Sequence, residues 1–164
     1  MAFYTGRTGA LYLTSAGTGE VTPSATEQAL KLRDWSLDTT LELLETTTVD
    51  TAVKSYTPGS SSATGSATVM YYRREGTTST EPGTQFDQFL SKLMKTSTAG
   101  VTEADRVGII LRVGQTPGAG NDIKDDIAFN AYITSAGLRV STGELSSVAI
   151  QFTVDGPFRE LIDA

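Results

Sequence analysis

The sequence predicts a mainly β fold in one domain, residues 1–164: an antiparallel β-sandwich or barrel with one α-helix packed on it. Three observations predict it. Several short runs alternate apolar and polar residues with the period of two that a half-buried strand requires. Only one run carries the helical period. Between the runs lie clusters of Gly, Pro, Ser and Thr, which break regular structure.

Ala10–Thr14 is short enough and apolar enough for a first strand, after a polar, Gly-containing arm at 1–9. Ser15–Ala25 is rich in Gly, Thr and Ser and reads as loop. Lys31–Thr47 is the second strand. Trp35, Leu37, Leu41 and Leu43 share one parity, and Asp34, Ser36, Asp38, Thr40 and Glu42 share the other. This gives an apolar face and an acidic, polar one. Gly65–Arg74, rich in Val, Thr and Tyr, is the third strand. The connection between them, about 48–64, is a long loop. It holds Asp50, Lys54, Tyr56, Pro58, Gly59 and the run Ser60–Ser62. A hairpin needs only two to five connecting residues, so a loop of that length is functional or disordered, and Ser60–Ser62 also fits a flexible linker.

Glu75–Gly83 is a further loop. Thr84–Lys95 is the helix: Phe86, Phe89, Leu90, Leu93 and Met94 form one apolar stripe. Thr84 and Asp87 make a capping-box-like start, and Lys92 and Lys95 suit the C-terminal dipole. Three strands complete the chain. Asp105–Val113 sets Val107, Ile109, Leu111 and Val113 against Arg106, Ile110 and Arg112. Asp125–Ser135 sets Ile127, Phe129, Ala131 and Ile133 against Asn130, Tyr132 and Thr134. Ser146–Val154 sets Val148, Ile150, Phe152 and Val154 against Ser147, Ala149, Gln151 and Thr153. The expected core is Trp35, Leu37, Leu41, Phe86, Phe89, Leu90, Ile109, Phe129, Ile150 and Phe152.

Composition excludes several kinds of chemistry. The net charge of −6 argues against nucleic-acid binding by charge neutralisation. With no Cys and no His, disulfides, thiolate or imidazole metal sites and Ser-His-Asp catalysis are excluded. No apolar run resembles a signal peptide or a membrane span, which fits folding in a cytoplasm. Asn121, Asp122, Asp125 and Asp126 match no calcium-loop spacing and read as acidic turn residues. Gly118-Ala119-Gly120 lacks the third Gly and following helix of a phosphate loop. Tyr71-Tyr72-Arg73-Arg74 reads as a strand end rather than a stacking surface for single strands. A glycosidase needs two carboxylates facing one cleft, and the sequence shows no cleft. No cofactor, metal or catalytic residue is expected.

The runs Trp35-Ser-Leu-Asp, Glu45-Thr46, Lys54-Ser-Tyr56-Thr-Pro58-Gly59 and Thr64-Gly65-Ser66-Ala-Thr68, with a helix and then strands ending on Ile150-Gln-Phe152-Thr-Val-Asp-Gly156, resemble the major tail tube proteins of long-tailed bacteriophages. The resemblance covers about 10–156. It implies a structural virion subunit, not an enzyme, that forms stacked, hexameric rings. The rings make the tube through which DNA is ejected, with DNA only as non-specific passing cargo. It implies that the long loop, with Asp50, Lys54, Tyr56, Pro58 and Gly59, reaches the adjacent ring. It also implies tail terminator, tape measure and baseplate or tip proteins as partners, and assembly in the host cytoplasm. An acidic lumen would repel phosphates, which makes Asp34, Asp38 and Glu42 the lumen-facing candidates. The alternatives are another virion component, such as a tail terminator or capsid decoration protein, and a carbohydrate-binding β-sandwich. The single Trp on an apolar face weakens the last.

Overall fold

The computed structural model describes residues 9–19, 23, 32–50, 52–70, 91–116 and 123–161. Six strands form one antiparallel sheet: β1 (Ala10–Ser15), β2 (Leu32–Glu45), β3 (Tyr56–Met70), β4 (Val107–Thr116), β5 (Ile123–Arg139) and β6 (Ser147–Val154). Their order across the sheet is β1-β4-β5-β6-β3-β2. The sheet curls into a half-barrel, so that its two edge strands approach one another. β2, β4, β5 and β6 coincide with the predicted alternating runs and β1 with the short apolar run, whereas β3 begins nine residues before the strand predicted at Gly65–Arg74. The helix predicted over 84–95 lies mostly outside the described residues, as do Phe86, Phe89 and Leu90; residues 91–93 are helical. Residues 71–74, 75–83 and 118–122 also lie outside them.

The apolar face of the curl is the core. Residues opposite one another in an antiparallel pair share a face, and the register shows which meet. Leu37, Gly65, Phe152 and Ile133 form one row across β2, β3, β6 and β5. Leu13, Ile109 and Phe129 form another across β1, β4 and β5. Ile109, Phe129, Ile150 and Phe152 are all buried. The rings of Phe129 and Phe152 stack at 5.6 Å, and Phe158 meets Phe129 edge-on at 5.8 Å. Gly65 has to be glycine. A Cβ there would run into the Phe152 ring and stand 2.5 Å from the Ser36 carbonyl oxygen.

The β1-β4-β5 part is covered on its other face as well, where Ala10, Tyr12, Ile110 and Ala128 are buried together. There Arg112 binds Asp126 through Nε–Oδ1 (2.7 Å) and Nη2–Oδ2 (2.9 Å) and donates from Nη1 to the Tyr12 hydroxyl at 2.9 Å. Burial pushes the Tyr12 phenol up, against the pull of the guanidinium beside it. Asp126, read from sequence as a turn residue, is a strand residue closed around an arginine.

Two expectations about the core change. Trp35 is half-buried and packs against the core from its edge. Leu41 does not enter the core: it is 55% exposed, and so is Leu43. The alternation that assigned them is real, but the strand runs past the end of the sheet that would have covered them. The connection is also shorter than 48–64. β3 begins at Tyr56, so Tyr56, Pro58, Gly59 and Ser60–Ser62 are strand residues and the turn occupies 46–55. Pro and Gly signalled a break there. Pairing with β2 overrides that local preference, and a register irregularity between Leu41 and Leu43 absorbs Gly59 and Ser60.

The chain closes on itself near its end. Gly156, at φ +80°, turns the backbone after β6. Arg159 and Glu160 then bond Ala128 of β5. Arg159 Nε donates to the Gly19 carbonyl at 2.9 Å, and Asn130 pairs both ways with the Gly17 backbone. The loop after β1 is thus fixed by residues more than 100 positions away.

Candidate functional site

β3 pairs with β6 only over Thr64–Met70. From Ala63 to Tyr56 it pairs with β2 alone. The result is a two-stranded arm about eight residues, or ~26 Å, beyond the last β3–β6 pair at ~3.3 Å per residue. Pro58 sits in this arm, opposite Leu43. A proline removes a ladder hydrogen bond, so a strand tolerates it where one side has no neighbour.

One face of β2 and β3, running from the sheet out into the arm, is a hydroxyl ladder. Ser36 Oγ meets Ser66 Oγ at 2.9 Å, Thr40 Oγ1 meets Ser62 Oγ at 2.9 Å, and Ser60 Oγ donates to Glu42 Oε2 at 3.0 Å. Asp34, Asp38 and Glu42 all lie exposed on this face, opposite the one that carries Trp35 and Leu37. The face continues through Thr64, Gln151 and Thr153 over a shallow hollow of about 370 Å³. The three carboxylates expected to act together therefore share one surface.

The arm also exposes apolar side chains that the subunit does not cover. Leu41, Leu43, Leu44 and Tyr56 are each about half exposed, and Val49 and Val53 in the turn are more so. So many exposed apolar side chains on one short arm point to an interaction surface, with Leu41 and Leu43 on one face and Leu44 on the other. Asp50 and Lys54 lie in the turn, with Lys54 Nζ 3.7 Å from Glu45 Oε2. Of the loop residues singled out from sequence, Asp50 and Lys54 occupy the tip, while Tyr56, Pro58 and Gly59 form the outgoing strand. Sequence reasoning missed Leu43, Leu44, Val49 and Val53 as surface residues. The signal was the length of β2: fourteen residues, in a sheet whose β6 has only eight.

β2 is also an edge strand over its whole length. A long, regular edge invites pairing with another chain unless something blocks it. Among the described residues no group of three or more Asp, Glu, His or Cys side chains is placed to hold a metal ion, and no described helix is long and apolar enough to cross a membrane.

No protein-family model matches the sequence, and no curated protein matches it. Solved structures do. A chain in the virion of a native gene transfer agent particle superposes with a TM-score of 0.63 at 10% identity, covering 99% of this chain and all of the other. A chain in the tail of an empty gene transfer agent particle, refined with helical C6 symmetry, gives 0.59 at 13% identity over 94% and 96%. The SPP1 tail tube gives 0.60 at 14% identity over 97% of this chain and 80% of that one. This chain therefore shares its fold with these virion and tail chains, in line with the resemblance seen in the sequence.

Proposed function

We propose that this chain is the subunit of a tail tube. Its copies close into hexameric rings, and the rings stack into a hollow tube that conducts DNA out of a virion. The observation that carries this reading is the arm. It projects from one end of the sheet with exposed leucines and valines that the subunit cannot bury, so a neighbouring copy buries them. The open edges at β1 and β2 are satisfied by pairing around the ring. The acidic, hydroxyl-rich face lines the lumen, where it keeps phosphates off the wall. The role is structural, with no chemistry performed. The further partners are the terminator, tape measure and baseplate or tip proteins that bound such a tube, and assembly takes place in the host cytoplasm.

Negative-stain microscopy of the purified protein tests this directly, because tubes, rings and monomers look different. The companion variant removes 42–60 and joins Leu41 to Ser61 through Asn-Gly. Those two residues already face one another across the ladder, and a two-residue Asn-Gly turn suits such a pair. The variant should melt cooperatively and form no tubes. Tubes of wild-type length from this variant would remove the arm from the assembly, and a wild-type protein that stays monomeric at high concentration would remove the reading itself.

A further inference from the structure

The tube reading leaves open where the arm lands, and this inference rests on that reading. At the opposite end of the same strands, Arg33, Met70, Arg139, Glu144, Leu145 and Ser147 line a hollow of about 380 Å³. Met70, Ser147 and Arg139 are paired neighbours in the last row of β3, β6 and β5, and Leu32 and Arg33 begin β2 beside them. Leu138, Val140 and Leu145 are exposed around it. This end therefore combines uncovered apolar side chains with two guanidinium groups.

The arm is its complement. Residues 42–56 carry Glu42, Glu45 and Asp50 against Lys54, which is −3 + 1 = −2. The hollow carries Arg33 and Arg139 against Glu144, which is +2 − 1 = +1. Both surfaces expose Leu and Val. We propose that the hollow is the receptor for the arm of a second copy of this chain, in the next ring. Leu43, Val49 and Val53 cover Met70 and Leu145, and the arm carboxylates meet Arg33 and Arg139. The existing pairs, Lys54–Glu45 and Arg139–Glu144, both 3.7 Å and well exposed, are of the kind that contributes little and exchanges readily. Because donor and receptor lie at opposite ends of one strand pair, each copy offers one end and accepts the other. Such a head-to-tail contact propagates along an axis where its rotation does not close, as in the stacking of one ring on the next.

The chain has no cysteine, so an introduced pair reports on one contact. Within a subunit the tip and the hollow are separated by the length of β3, ~46 Å at ~3.3 Å per residue. A disulfide spans only ~4.4–6.8 Å between Cα atoms, so any cross-link joins two copies. Assemblies of Val53→Cys/Leu145→Cys, oxidised and run on a denaturing gel without reductant, should give a ladder extending well past dimer. Each single variant should give monomer. Dimers from Val53→Cys alone would show that arms meet arms, and tubes of normal length without cross-links would show that the arm docks elsewhere. Either outcome overturns the contact and leaves the tube reading standing. A wild-type chain that forms neither rings nor tubes removes both. As an independent arm, Arg33→Glu/Arg139→Glu should lower tube yield by about tenfold or more through like-charge contact. Adding Glu45→Arg and Asp50→Arg should restore it. Undiminished tubes from the first variant also overturn the contact.

Discussion

Arg112 and Asp126 face each other across β4 and β5 and lock together through two parallel hydrogen bonds of 2.7 and 2.9 Å, both side chains only 7% exposed. The bidentate geometry uses the planar fork of the guanidinium. The hydrogen bond to Asp126 holds the Arg112 proton more firmly still. A buried pair of this kind is costly to break and cheap to replace. Asp126→Ala should destabilise the subunit by ~3–5 kcal/mol, because it strands a charge in the interior. The triple variant Tyr12→Phe, Arg112→Met, Asp126→Leu should lose far less. Urea unfolding of both decides the matter, and a larger loss in the triple variant would contradict the account.

Gly65 and Phe152 set the spacing between β3 and β6. Any side chain at position 65 forces the Phe152 ring or the β2 backbone to move, and the Ser36 carbonyl, as backbone, yields less readily than a flexible side chain. Gly65→Ala should therefore cost ~1–3 kcal/mol, as overpacking of a core does. Alanine is otherwise favoured over glycine in a strand, so a stabilised variant would show that the approach is looser than it looks. Pairing Gly65→Ala with Phe152→Leu should recover part of the loss.

Asp105 closes the short 3-10 turn at 103–105 before β4. Its carboxylate accepts from Lys95 and from the Thr102 amide, and these bonds, the Lys95 contact foremost, hold its pKa below the ordinary aspartate value. A depressed carboxylate stabilises the fold above its unfolded pKa, about 3.9. It loses that contribution as the pH falls through the lower, folded value. The melting temperatures of wild type and Asp105→Asn should differ most near pH 7 and converge below about pH 4. A constant difference across that range would mean that the charge on Asp105 does not matter.

Strands were legible in the sequence because alternation survives in β4, β5 and β6, where one face is always core, and because β1 is a short apolar run. Bulges were not legible. The irregularity after Ile133 puts Ala136, rather than Ser135, opposite Ile150, and nothing local at Thr134 announces it. The arm was half legible. Its length and polar side were visible, but Pro58-Gly59 and three serines looked like loop. Only the partner strand, nine positions away at Thr46 and Ser55 and further along the ladder, makes them strand. Leu41 and Leu43 failed as core residues for a related reason. Periodicity states which side chains share a face, not whether the sheet continues far enough to cover it. The buried Arg112 and Asp126 look like surface charges in sequence, because pairing across fourteen residues is a property of the register.

If the chain forms the proposed tube of six-membered rings, Asp34, Asp38 and Glu42 line its inside, and they test that assignment. They recur at every fourth residue of β2, so neighbours stand ~13 Å apart at ~3.3 Å rise. The irregularity near Glu42 places its extra residue on β3 rather than β2. Glu42 accordingly still reaches Ser60, beside the Thr40–Ser62 pair, and stays on the polar face. Alone, each charge is screened beyond ~8–10 Å of physiological salt solution. Six copies per ring, in a channel with low-dielectric walls, would add their fields and focus them on passing phosphates. Asp34→Lys/Asp38→Lys/Glu42→Lys should leave the subunit folded, since all three are exposed and surface changes away from packing stay within about 0.5 kcal/mol each. Ring closure should slow through like-charge repulsion. Tubes that do form should hold DNA against their walls, with release slowest at low salt and recovering as salt is raised. Two results would sink the lumen assignment: cryo-microscopy of the tube placing these carboxylates on the outside, or release of DNA from the triple-lysine tube at the wild-type rate at every salt concentration.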